Sequence, residues 1–340
     1  MIFRVGLIGK GHVGTSLLEL FNRKKNLIEK RLKSHIVLTA VFNSKGALIN
    51  QKGLDPAKII GNNLKVTKMK EWQENISVID NISKENFDIL IETTPTNVET
   101  GEPATTHIFK ALNHKIDVIT SNKGPLFLYY TQLKSLAEKN MCFLKFDATV
   151  ACCLPIISIK KLLLGSEITH IKAILNGTSN FILSQMSNNG LNFTSALQYA
   201  QKLGYTESDP NLDIHGLDAA GKIVILANEL LDWKKTIKDV QIEGISDITL
   251  QKIKTASVNG CKIKLISVAK NNELYVKPCL IKPSSLLNLD GNLNGILLQT
   301  KHGGPIILIG NGAGSFEAAS AIINNLIEII DNKEHRTENN

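Results

Sequence analysis

A β-rich apolar run, Phe3-Arg4-Val5-Gly6-Leu7-Ile8, leads directly into Gly9-Lys10-Gly11-His12-Val13-Gly14 and then into TSLLELFNRK, where apolar residues recur at helical spacing. Glycines spaced G-x-G-x-x-G mean little alone. Between a first strand and a first helix they imply a tight turn that brings the backbone close to a pyrophosphate at a helix amino terminus, where unpaired amides and the helix dipole favour negative charge. A parallel α/β sheet that binds a dinucleotide is therefore the expected opening of the chain. His12 occupies a variable position of the motif and reads first as a solvent-facing residue.

The next segments repeat the strand-helix pattern. HIVLTAVFN (35–43) reads as a second strand ending at Asn43-Ser44-Lys45, where an NAD-preferring enzyme would usually carry an acid for the ribose 2′-hydroxyl. None is present. The Ser44 hydroxyl and the Lys45 ammonium would suit a 2′-phosphate, so NADP is expected over NAD. FDILIETTPTN reads as a buried strand opening into Thr93-Thr94-Pro95-Thr96 at the carboxyl edge of the sheet, where such folds bind ligands. THIFKALNHK reads as a helix and IDVITSNKGPL as a strand that ends at Lys123, beside the same edge. Alone, a strand-end lysine is more often a solvated charge. Cys142 to Val150 reads as one more strand.

The chain has 340 residues, 43% of them hydrophobic and 21% charged, which is ordinary globular composition with room for two domains. The net charge of +8 raises the question of nucleic acid. Its densest basic cluster, Arg23, Lys24, Lys25, Lys30, Arg31 and Lys33, is mixed with Asn and Glu and has no interleaved aromatic residues to stack bases. No nucleic-acid partner is expected, and the positive field would suit an anionic small ligand. Five cysteines without a C-x-x-C pair suggest neither a disulfide framework nor a zinc site. The adjacent Cys152 and Cys153 read as small packing residues. With no signal-peptide pattern and no apolar run of membrane-spanning length, a soluble cytoplasmic protein without a membrane partner is expected.

In the second half, EITHIKAILNGTSNFILSQM reads as a strand, a tight Asn176-Gly177-Thr178-Ser179-Asn180 turn and a helix, whose first amides and hydroxyls could hold a small carboxylate. FTSALQYAQKLG reads as a helix capped by Gly204. Next comes the most heavily charged turn-and-helix segment, GYTESDPNLDIHGLDAAGK, with Glu207, Asp209, Asp213, Asp218 and Lys222. After Gly216, LDAAGKIVILANELL reads as a buried helix with Asp218 and Lys222 on one face. Two readings stand side by side. One is an ordinary i,i+4 ion pair at a helix start, stabilising by about 0.3–0.5 kcal/mol. The other is a catalytic lysine beside an acidic partner, facing further carboxylates on the preceding loop. GGPIILIGNGAGSFEAASAIINNLIEII then reads as a strand, a glycine-rich turn and a helix that return to the first domain. The expected organisation is a Rossmann-type doubly wound parallel sheet over residues 1–150 and 304–331, an α+β domain over 151–303, and a flexible polar tail over 332–340.

The set G-K-G-H-V-G, T-S-N-K, N-G-T-S-N and G-Y-T-E-S-D-P-N-L-D-I-H-G-L-D-A-A-G-K resembles the homoserine dehydrogenase family, from the first strand to about Ile330. The resemblance implies reversible, NAD(P)-dependent interconversion of L-homoserine and L-aspartate 4-semialdehyde, a step toward threonine, methionine and isoleucine. It implies Lys222 as proton donor and acceptor, Asp218 as the carboxylate that binds and positions substrate, and Lys123 as a second lysine near nicotinamide and substrate. Glu207 and Asp213 would meet the substrate ammonium and Thr178 its carboxylate. Gly9, Gly11, His12, Val13, Gly14, Thr94, Gly204 and Gly314 match cofactor-contacting positions. A sodium site is implied in the segment Asp147 to Leu154, with the Asp147 side chain where glutamate is usual and carbonyls of Val150, Cys152 and Leu154. The resemblance further implies a homodimer formed by the catalytic domain, and a short form without the ACT or aspartokinase domain of some relatives. Aspartate-semialdehyde dehydrogenase would share the cofactor and metabolite but needs an activated cysteine nucleophile. A non-catalytic NADP-sensing protein would keep the fold without the chemistry.

Overall fold

Strand formation follows the β-branched and apolar runs of the sequence. In the computed structural model, which describes residues 1–61, 66–152, 154–206 and 209–338, the first seven strands are β1 (Ile2–Ile8), β2 (His35–Asn43), β3 (Gly46–Ile49), β4 (Trp72–Glu74), β5 (Ile89–Glu92), β6 (Asp117–Thr120) and β7 (Leu144–Lys145). They form one sheet in the order β4-β3-β2-β1-β5-β6-β7. β2, β1, β5, β6 and β7 run parallel, while β3 and β4 add an antiparallel edge. β2 lies on one side of β1 and β5 on the other. The carboxyl ends of β1 and β5 are therefore a topological switch point, where open α/β sheets bind ligands. The strand expected over 142–150 is only two residues long, because the chain turns into a 3₁₀ segment at Asp147–Thr149, closed by the Thr149 hydroxyl on Phe146 O at 2.7 Å.

The helix His12–Leu32 covers this sheet through Leu17, Leu18 and Phe21, in one core with Ala319, Ile322, Ile323 and Leu326 of the helix Ser315–Glu338. That shared apolar face is why the last helix belongs to the first of two compact units, Met1–Cys152 with Gly314–Asn340. The tail expected to be flexible from 332 instead continues this helix to Glu338. Its polar residues are anchored: Lys333 Nζ lies 2.6 Å from the buried Asp117, and the Ser34 hydroxyl meets Glu334.

The second unit, Cys153–Ala313, contains β8 (Ile168–Ile174), β9 (Val240–Ile242), β10 (Lys262–Lys270), β11 (Glu273–Ile281), β12 (Leu293–Thr300) and β13 (Pro305–Asn311). The sheet order is β13-β12-β8-β10-β11-β9. β13, expected to return to the first sheet, pairs antiparallel with β12 from Leu293↔Asn311 to Gln299↔Pro305, because a short turn closes them as a hairpin. Only the helix after it returns. No helix among the described residues is long and apolar enough to cross a membrane.

β10 carries a charge into this unit's interior. Lys264 is fully buried and its ammonium meets Asn180 Oδ1 at 3.0 Å, Ser184 Oγ at 2.9 Å and Asp290 Oδ1 at 3.0 Å. Burial pushes the Lys264 ammonium below its ordinary range, against the opposing pull of Asp290. Partial burial works to raise the Asp290 carboxyl, but hydrogen bonds from Lys262, Asn188 and Lys264 outweigh it and hold it at about 2. Asp290→Asn should therefore destabilise the protein at neutral pH by about 2 kcal/mol, less than a fully enclosed pair because Asp290 is partly exposed. The Asp290 carboxyl lies below its ordinary value, so its contribution is complete above 3.8 and is lost as pH falls toward about 2. Denaturant titrations of both proteins between pH 7 and pH 3 should show the difference narrowing with acid.

Candidate active site

β1 ends in a left-handed turn at Gly9, φ +98°. A side chain there would strike Thr93, whose Oγ1 would lie 2.8 Å from the added carbon, and a Cβ at Gly14 would lie 2.0 Å from Gly9 O. The Thr93 hydroxyl bridges the carbonyls of Ile8 and Gly9 at 2.9 and 2.8 Å, locking β5 to the turn. At Gly11 an added carbon would meet nothing within 4 Å. Gly11 is also the cap of the helix His12–Leu32 and offers no side-chain cap, so the helix start is open to an anion. His12 and Val13 form its first turn, His12 exposed and Val13 half-buried. Those features fit a pyrophosphate close to backbone.

Ser44 and Lys45 lie exposed in the β2–β3 hairpin turn, where Asn43 Oδ1 accepts from Lys45 N at 2.8 Å and Gly46 N at 3.2 Å. The end of β2 thus carries an amide and no acid. Thr94 follows β5, and Lys123 follows the buried Asn122 after β6. Asn122 Nδ2 donates to Thr94 O and Pro95 O, both at 3.0 Å, which draws the two segments together. Gly314 directly precedes the helix Ser315–Glu338 in the same unit.

Asp147 is buried, and its Oδ2 accepts from Asn325 Nδ2 at 2.6 Å. Val150 is fully buried and Cys152 half-buried, with Ala151 and Cys152 both at positive φ. Leu154 falls in the second unit, and Cys153 lies outside the described residues. Among the described residues, no group of three or more His, Cys, Asp and Glu side chains is arranged to hold a metal ion. Two of the thiols are disfavoured as nucleophiles: burial pushes Cys142 up to about 11 and raises Cys279 as well.

The second unit gathers the charged segment around one lysine. Asp218 and Lys222 lie on the helix Leu217–Leu230, which is buried at Ala219, Ala220, Gly221 and from Ile223 to Ala227. Lys222 is only 7% exposed. Its Nζ lies 2.6 Å from Asp218 Oδ2 and donates to Leu175 O at 2.9 Å. An exposed surface pair is thereby excluded. Asn176 accepts from Ser179 N at 2.8 Å through its Oδ1, capping the helix Gly177–Asn189. The cap turns its Nδ2 toward the acids, to Asp213 Oδ1 at 2.6 Å and Asp218 Oδ2 at 3.0 Å. Asp213 also accepts from Thr206 Oγ1 at 3.0 Å. Burial, with the nearby Asp218 charge, raises the Asp213 carboxyl above its ordinary range despite the Asn176 hydrogen bond. Thr178 is brought to the same turn, but its hydroxyl donates to Tyr205 O at 2.7 Å, so in this arrangement the proton is not offered to a carboxylate. Gly204 ends the helix Phe193–Lys202 in the left-handed conformation, φ +72°, with Tyr205 N closing on Ala200 O at 3.0 Å. Glu207 lies outside the described residues.

Residues 9–147 match the model described as the homoserine dehydrogenase NAD-binding domain, and residues 155–327 that of homoserine dehydrogenase. The chain belongs to the homoserine dehydrogenase family. It is similar to a homoserine dehydrogenase of Methanocaldococcus jannaschii, 42% identical over 95% of this chain and 97% of the relative. It is also similar to an NAD(+)-dependent homoserine dehydrogenase of Pseudomonas canavaninivorans, 34% identical over 96% of both. A crystal structure of a homoserine dehydrogenase from Thiobacillus denitrificans superposes with a TM-score of 0.83 at 32% identity, covering 97% of this chain and 74% of that one. Members of this homoserine dehydrogenase family are NAD(P)-dependent oxidoreductases acting on a small-molecule alcohol, and that is the activity of this chain.

Sequence reasoning missed Glu92, His107 and Asn122 in the first unit and the donor role of Asn176 in the second. Each bonds to residues 15 to 42 positions away. Asn176 alone left a local signal, as an Asn before a helical run. Asp213→Asn should raise Tm at pH 7 by a few degrees. The Asp213 carboxyl lies above its ordinary value, so its ionisation weakens the fold increasingly as pH rises past 3.8. Calorimetry should find the gain in Tm shrinking as pH is lowered toward that value.

Proposed function

We propose that Lys222 is the proton-transfer group for the reversible oxidation of L-homoserine to L-aspartate 4-semialdehyde, with Asp218 positioning it and the substrate. The observation that carries this reading is an ammonium sunk among apolar residues and held by Asp218 and Leu175 O. A charge in that setting has a desolvation cost of several kcal/mol that a purely structural helix could avoid. When bound, the nicotinamide cofactor supplies or accepts the hydride at the reacting carbon. In the reductive direction the Lys222 ammonium gives a proton to the aldehyde oxygen. In the oxidative direction the neutral amine takes the hydroxyl proton. Asp213 and Glu207 serve the substrate ammonium, and the first amides of the helix Gly177–Asn189 its carboxylate, with Thr178 beside them. Lys123 is assigned to the nicotinamide and substrate on the strength of the resemblance and its position after β6.

Gly9 to Gly14, Thr94, Gly204 and Gly314 are assigned to the cofactor. NADP is preferred in this reading because β2 ends without an acid and is followed by exposed Ser44 and Lys45. A monovalent cation is assigned to Asp147 and the carbonyls of Val150, Cys152 and Leu154; the buried carboxylate supports it, since oxygen ligands suit a hard cation. Two copies would pair through the second unit, whose exposed Val258 and Leu280 support an apolar contact.

Lys222→Ala should lower kcat by about 10²-fold or more, in line with loss of a general acid or base, while the variant still binds dinucleotide. Reduction of NADP followed by absorbance with L-homoserine tests this, and a variant with unchanged kcat overturns the role. The cofactor assignment predicts that Lys45→Ala raises KM for NADP and leaves KM for NAD within about twofold, as expected when a single phosphate contact is removed.

A further inference from the structure

Glu92, the last residue of β5, is fully buried, and its carboxylate is not part of the chemistry described above. Its Oε2 lies 2.6 Å from Nδ1 of His107, itself 5% exposed on the helix Ala104–Asn113. Its Oε1 accepts from Thr94 N at 2.7 Å and from the Thr94 hydroxyl. The same hydroxyl accepts from Asn122 Nδ2 at 3.3 Å, while Asn122 also holds the carbonyls of Thr94 and Pro95. Asn122 is fixed in turn by Gly124 N on its Oδ1 at 3.0 Å, and Lys123 N reaches Thr96 Oγ1 at 3.4 Å. Thr94 is thus held on both sides of its hydroxyl and at its amide and carbonyl. A buried carboxylate is costly unless paired, and an apolar residue could fill a strand end at no such cost. What the charge adds here is a rigid loop at the switch point beside the Gly9 turn.

We propose that Glu92, paired with His107, is a positioning residue that fixes the Thr94–Thr96 loop in the shape the dinucleotide meets, and so sets affinity for the cofactor rather than for the amino-acid substrate. This deepens the reading of Thr94 as a cofactor contact and rests on it. Glu92→Gln keeps an acceptor for Thr94 N and an amide for His107; Glu92→Leu keeps the volume and removes both contacts.

The test is fluorescence titration of the full-length protein with NADPH, alongside steady-state kinetics. Glu92→Leu should weaken NADPH binding and raise KM for the cofactor by about tenfold or more, with KM for homoserine at saturating cofactor within about threefold of wild type, and Glu92→Gln should recover most of the loss. A folded Glu92→Leu protein that binds NADPH as wild type does overturns the proposal, as does a rise confined to the homoserine KM. If Glu92→Leu does not fold, Asn122→Ala is measured in its place; it removes the other clamp on the loop, and the same two outcomes decide. Wild-type protein that binds no NADPH would overturn the cofactor reading itself, a result distinct from wild-type binding with unaffected variants.

Discussion

The second unit is arranged around an ammonium held out of water. Lys222 lies on a helix whose neighbouring positions are Ala, Gly, Ile, Val and Leu, all buried. Desolvation alone would favour the neutral amine, and an unpaired charge there would cost several kcal/mol. Asp218 one turn earlier and the Leu175 carbonyl offset that cost. Both contacts depend on where β8 ends, because Leu175 is the residue between the strand and the Asn176 cap. One short turn therefore sets the lysine, caps a helix and supplies the donor that brings Asp213 and Asp218 within reach of a single amide nitrogen.

The first unit treats its own buried charge in a parallel way. Glu92 closes β5 and is satisfied by His107 from a helix and Thr94 from the following loop. Thr93, one residue on, binds the Gly9 turn from the opposite direction. Successive residues at the end of one strand thus fix two loops, and the absence of side chains at Gly9 and Gly14 is what lets them approach so closely. A larger residue at either glycine would act on Thr93 or on the Gly9 carbonyl, so the turn and the β5 loop behave as one construction.

Much of this was readable where the signal was local. The strand, glycine turn and helix at the start were legible because period-2 and period-3.6 patterns abut there. The lysine and acid four apart were legible because helix geometry fixes their relation, but whether the pair was exposed was not. Burial depends on what the helix Leu217–Leu230 packs against, which includes β8, β9, β10 and β11. The same limit explains β13. Its sequence reads as strand, glycine turn and helix, a local pattern indistinguishable from a returning βα unit, and only its pairing with β12 assigns it to the second sheet. The polar tail read as loose because its anchors, Ser34 and Asp117, are some 200 to 300 residues earlier, on the scale of the 300-residue separation of Ser34 and Glu334. Glu92 was hidden as one acid in a strand, since its meaning lies in a helix 15 residues on.

The raised carboxyl of Asp213 connects stability to the proposed chemistry. In the folded protein, burial and the Asp218 charge disfavour its ionised form, while Asn176 and Thr206 only partly offset them. A substrate ammonium next to Asp213 would favour the carboxylate, by the same electrostatics with the sign reversed. Binding would then recover free energy that the folded protein gives up when it ionises this group alone. By linkage, that gain belongs to the complex and not to the apo fold, so a site poorly solvated for its own charge is the more selective for a cationic ligand. In the proposed chemistry, selectivity for an amino alcohol over a plain alcohol would follow from the state of Asp213, and proton transfer would fall to Lys222 with Asp218.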